Sequence, residues 1–171
     1  MRTDEARDPM KLSAYGITTE LPAGWEGRIT KRTTPSRAEG RAPPGLEAAP
    51  ARYPTRWCTS PASRCEQRGD FGSGAVDAMG AGDLLVILFE YGPESVGQAL
   101  FARPGMPSLR PAMFSPSSLQ RTLTGQAGCQ RWFTESGRPF CAYVVLGRHA
   151  EAQTLVPLAN ATLRATEISP R

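Results

Sequence analysis

A chain of 171 residues, 40% hydrophobic and 21% charged, has the size and apolar content of one globular domain whose core needs neither metal nor disulfide. Its longest unbroken apolar run, residues 84–89, is too short for a helix that crosses a bilayer, so no membrane partner is expected. The formal charge of +4 does not indicate nucleic acid, because residues 33–68 carry six arginines against three glutamates, which is +3, and leave +1 for the rest without interleaved aromatics.

Residues 1–10 hold Arg2, Asp4, Glu5, Arg7 and Asp8 with no apolar run behind them, the pattern of a disordered tail and not of a secretion signal. Met10 is an alternative start, the cytoplasm is the default compartment, and residues 11–171 form the expected domain. Tyr15, Ile17, Thr19 and Leu21 alternate with polar neighbours, which predicts a strand over residues 13–21. Pro22-Ala23-Gly24 ends it, and residues 25–31 are expected to return as its hairpin partner.

Residues 33–68 break the pattern. They contain no valine, isoleucine or methionine and Leu46 as their sole leucine, among six prolines and six arginines, so no face there can be buried. Two readings fit: a native Pro/Arg-rich surface insertion, or a stretch translated out of frame in a GC-rich gene. The second is testable on the genetic code. Reading from the third base of each codon, Thr55 through Cys65 yields Val, Leu or Met at the Arg56/Trp57 junction, then Val, then His or Tyr. If Ser60 and Ser63 use TCN codons, both following serine junctions give Phe, Leu, Ile or Val. One solution is Val-Val-His-Val-Ala-Ser-Phe-Pro-Leu, a half-buried strand pattern. Eighteen arginines against Lys11 and Lys31, with Asn160 the single asparagine, agree with a GC-rich bacterial source.

Residues 69–83 have five glycines and three aspartates, a loop around at most one short helical turn. Residues 84–89 are apolar at every position, as in a central strand covered on both faces. Residues 103–111, with prolines at 104, 107 and 111, are irregular, and Ser115-Pro116 opens a short helix. Residues 130–134 and 140–146 form a hairpin around Ser136-Gly137, and a helix starting near Pro157 presents Leu158, Thr162 and Leu163 on one face and ends before Ile168. The order gives an α+β class: a mostly antiparallel sheet with a C-terminal helix packed on it.

Leu21-Pro22-Ala23-Gly24-Trp25 after an opening strand, Gly137-Arg138-Pro139-Phe140 at the hairpin, the strand at 142–146 and the closing helix resemble the Mog1/PsbP-like α/β/α sandwich at both ends of the chain. The resemblance implies that fold, and its members are mostly small accessory or binding proteins.

No cofactor motif is present. Asp70-Phe71-Gly72 lacks every other element of a kinase, and Gly72-Ser73-Gly74 lacks the lysine of a phosphate loop. Asp70, Asp77 and Asp83 offer oxygen ligands on a flexible loop, but without calcium-loop spacing they read better as turn caps, so no metal is expected. Glu90 and Glu94 flank the turn after the apolar strand, where a carboxylate can serve as acid or base. Cys129 and Cys141 have a separation suited to a cross-strand contact but read as packed thiols, and His149 as a solvated loop residue. Asn160-Ala161-Thr162 matches a glycosylation sequon inside the predicted helix. The expected function is a binding or accessory module for a protein or small molecule, with Trp132 beside Phe133 or Tyr143 as an exposed patch. The alternative is a small enzyme using residues 69–83 and Glu90.

Overall fold

The computed structural model describes residues 9–31, 55–56, 73–119 and 123–171. The expected tail lies outside them except at its end, because Met10 opens a strand, and so does most of the 33–68 insertion.

Strand β1 (Met10–Ala14) and strand β2 (Ile17–Leu21) form the first hairpin, in antiparallel register from Met10 opposite Leu21 to Ala14 opposite Ile17. This corrects the expected hairpin over 13–31. Tyr15 and Gly16 have φ of 53° and 74°, so the two form the tight turn whose twist matches paired strands, and the run that looked like one strand folds back on itself. Residues 25–29 do not return as a strand. Only β3 (Thr30–Lys31) does, and it pairs with β4 (Thr55–Arg56).

Helix α1 (Ser73–Ala78) supplies the one short helix of the glycine-rich loop. It leads into β5 (Leu84–Glu90), which pairs antiparallel with β7 (Arg138–Leu146), itself paired with β6 (Ala127–Glu135). The β6–β7 hairpin turns at Ser136-Gly137, with φ of 52° and 74°, as the sequence predicts, and extends past the predicted ends. β5 is covered on both faces as expected, but among the described strands β7, not β5, is the central one. The outer edge of β6 is capped by two bridges, Pro104 with Thr134 and Ser115 with Gly128. Residues 103–105 are thus irregular yet anchored.

Helix α2 (Ala152–Arg164) starts five residues before Pro157, the expected start. Pro157 removes one backbone donor and sits on the exposed side. Burial of Leu155, Val156, Ala159 and Leu163 offsets that loss. Leu158 lies outside the buried face, contrary to expectation, while Thr162 and Leu163 are inside it. Strand β8 (Thr166–Ile168) follows and pairs with β2.

One face of the β5–β7–β6 sheet, with Leu84, Val86, Leu88, Phe133 and Phe140, packs on α2 and on Ile17, Leu21 and Ile168 of the β1–β2–β8 sheet. The other face, with Leu85, Ile87, Phe89, Cys141, Tyr143 and Val145, packs on Val76 of α1 and on Leu119. The alternation of the pleat sorts a continuous apolar run onto two cores. All named strand pairs are antiparallel and the C-terminal helix lies on them, so the α+β class is the one the sequence predicts.

Candidate functional site

Among the described residues, Asp77, Asp83 and Glu90 do not gather into one cluster. Asp70 lies outside the described residues. Asp77 is exposed on α1, and Asp83 closes a turn, its Oδ2 accepting from the Gly80 N–H at 2.6 Å and its carbonyl accepting from the Gly147 N–H at 2.9 Å. Gly147 is required there because a Cβ would collide with the Gly80 carbonyl oxygen. Asp83 precedes β5 and Glu90 ends it, so at about 3.3 Å per residue the two are about 23 Å apart. Asp83 and Glu90 therefore share no reaction centre. Among the described residues, no three His, Cys, Asp or Glu side chains form a group that would hold a metal ion.

Glu90 is instead half of a buried clamp. It and Arg138 are each 3% exposed. Arg138 donates Nε–H to Glu90 Oε1 at 2.8 Å and Nη2–H to Oε2 at 2.9 Å, a bidentate pair. Its remaining donors reach the carbonyls of Tyr15 at 3.0 Å, Gly16 at 3.3 Å and Ser169 at 3.0 Å. All five guanidinium N–H groups are thereby accepted. Arg171 adds a further contact to Glu90 Oε2 at 2.9 Å, and Ser136 Oγ donates to the Ile168 carbonyl at 2.7 Å. Both tight turns, the end of β5 and the segment after β8 meet here, so the clamp joins the two sheets at one end.

Sequence reasoning named Glu90 and missed Arg138. Part of the signal was present, since each is a charge at the end of an apolar strand; the β5–β7 register that puts Glu90 opposite Phe140, two positions from Arg138, is a long-range pairing that no local turn sets.

The predicted aromatic patch is absent. Phe133 and Tyr143 are buried, and Trp132 is half-buried against the second core, opposite Cys141. Burial raises the Tyr91 hydroxyl pKa, with a smaller push from Cys141 and an opposing hydrogen bond to Trp132. The two thiols are buried, but not in contact as cross-strand partners. Cys129 faces the first core opposite Val144, whereas Cys141 faces the second. Burial pushes the Cys141 thiol up to about 12 and raises that of Cys129. Neither is a ready nucleophile.

Asn160 is occupied structurally: its Oδ1 accepts from the Leu109 N–H at 2.8 Å and its Nδ2 donates to the Leu109 carbonyl at 2.9 Å. It thus mimics a strand partner and pins the irregular segment to α2. His149 is exposed at the turn before α2, as expected.

Exposed apolar surface lies elsewhere. Val96 is 47% and Leu100 53% exposed, both between Tyr91 and Phe101, whose rings meet at 5.0 Å. The ring contact closes residues 91–101 into a compact loop of the Ω kind. Inside it, Ser95 N–H donates to Gly92, Val96 to Pro93, Gln98 to Ser95 and Phe101 to Gln98, at 2.9 to 3.2 Å, with Gly97 at φ 82°. Thr134 Oγ1 donates to the Phe101 carbonyl at 2.8 Å and fixes the loop to β6.

The fold and this geometry define an α+β domain in which Asp83 and Glu90 serve the architecture. Comparison with protein-family models, curated proteins and solved structures finds no match to the chain. Among the described residues, no helix is long and apolar enough to cross a membrane.

Proposed function

We propose that this protein is a small binding or accessory module, of a fold resembling the Mog1/PsbP-like sandwich, acting in the cytoplasm of a GC-rich bacterium. The observation that carries this reading is the closed 91–101 loop, which holds Val96 and Leu100 outward on an internally hydrogen-bonded frame. Ordering such a surface before contact lowers the entropy lost on binding. Exposed aliphatic side chains on an ordered loop favour a protein partner over a small molecule, which wants a concave site. The enzyme alternative gains no support from acidic residues about 23 Å apart along β5.

Capture from the parent cell's lysate tests the reading. Immobilised wild-type protein is expected to retain a partner that V96S/L100S loses, while E167Q, exposed on β8, retains it. Equal capture by all three proteins contradicts it.

A further inference from the structure

The position of β4 bears on what belongs beside β5. Cα atoms of β4 approach those of β5 within 8 Å. Stacked sheets lie about 10 Å apart and neighbouring strands about 4.8 Å, so β4 enters the place of a lateral neighbour and not of a covering layer. β7 holds one side of β5, so β4 enters on the other.

That side has the chemistry of an interior position. Leu84, Leu85, Val86, Ile87 and Leu88 form a run without charge, proline or glycine, and all are buried. Natural sheet edges are blunted by charge, proline, bulges or short length. The outer edge of β6 shows such protection, through its bridges to Pro104 and Ser115. β5 has the composition of a strand meant to be flanked on both sides.

The chain leaves β4 at Arg56, the junction where the shifted reading turns apolar. We infer that the slot beside β5 belongs to a strand of this protein's own gene, read one base out of the present frame. Its sequence pattern is Val/Leu/Met, Val, His/Tyr, then Phe/Leu/Ile/Val, as in Val-Val-His-Val-Ala-Ser-Phe-Pro-Leu. The geometry and the codon arithmetic are independent and point to the same place. The interaction surface is the outer side of Leu84–Leu88, and its occupant is an extended apolar peptide added as a strand. This inference does not depend on the 91–101 loop being a docking surface.

Two measurements test it. The gene is expected to use TCN codons at Ser60 and Ser63 and to carry one inserted and one compensating deleted base around codons 33 to 69. An AGY codon at either serine would place Lys, Gln, Glu or a stop in the shifted strand and overturn the inference. Second, a chain with the frame restored is expected to melt higher by about 5 °C or more. Its Leu84–Leu88 amides should exchange about ten-fold slower than those of the present chain. Aspartate in place of the valine after the shifted histidine should cancel both gains. A restored chain that melts no higher, fails to fold, or tolerates that aspartate unchanged would overturn the inference and leave residues 33–68 a native loop.

Discussion

Replacing Glu90 with glutamine attacks the clamp that joins the two sheets. Glutamine keeps the volume but withdraws the counter-charge that Glu90 bonds to Arg138, and it turns an amide N–H₂ toward guanidinium donors. Removing one member of a buried ion pair costs about 3–5 kcal/mol, because the remaining charge stays buried without compensation. The lower end is expected, since three carbonyls still accept from Arg138. A cycle of E90L, R138M and the double variant separates the pair from its surroundings. The double variant removes both charges but leaves the carbonyls of Tyr15, Gly16 and Ser169 without their guanidinium donors. It should be destabilised, yet by about 2 kcal/mol less than the sum of the singles. Urea unfolding followed by tryptophan fluorescence and circular dichroism measures all four proteins. A cost for E90Q below about 1 kcal/mol, or strict additivity in the cycle, would refute the clamp, since only an exposed ion pair behaves so.

I87A should cost about 2–5 kcal/mol through lost burial and a cavity in the second core, and an unchanged urea midpoint would place β5 at the surface. N160A should cost about 1–3 kcal/mol by orphaning the Leu109 N–H and carbonyl, and N160D should fall between N160A and wild type because it keeps the acceptor; calorimetry ranks the three. For pH, the Cys141 thiol rises from an ordinary 9.0 to about 12, so the folded state holds its proton where the unfolded state loses it. That stabilisation is complete below pH 9.0 and is lost towards pH 12, at up to about 1.4 kcal/mol per pH unit. C141A should flatten this loss in denaturation scans from pH 8 to 10.5, and an identical slope would contradict the burial of the thiol.

The sequence made some parts of this fold legible and hid others for physical reasons. The β5 run and the Ser136-Gly137 hairpin were readable because apolar continuity and turn chemistry are local signals. The first hairpin was misread because Tyr15 at positive φ is uncommon outside such turns, and the side chains on both sides of it keep a two-residue alternation. The start of α2 was misplaced because proline usually marks a first turn, whereas burial of Leu155 and Val156 carried the helix past Pro157. Glu90 was found, but its role was set by Arg138, 48 residues away, and by carbonyls from two further segments. The acidic loop looked like a site because charge and glycine cluster in sequence, while Asp83 uses its carboxylate on the turn itself.

The most direct test of the binding reading places a photo-cross-linking benzoylphenylalanine at Val96 and, in a separate protein, at Glu167, and irradiates each in the parent cell's lysate. The account predicts one discrete covalent adduct through position 96 and none through position 167. Adducts of equal yield at both positions, or none at position 96, would contradict the assignment of the 91–101 loop as the contact surface.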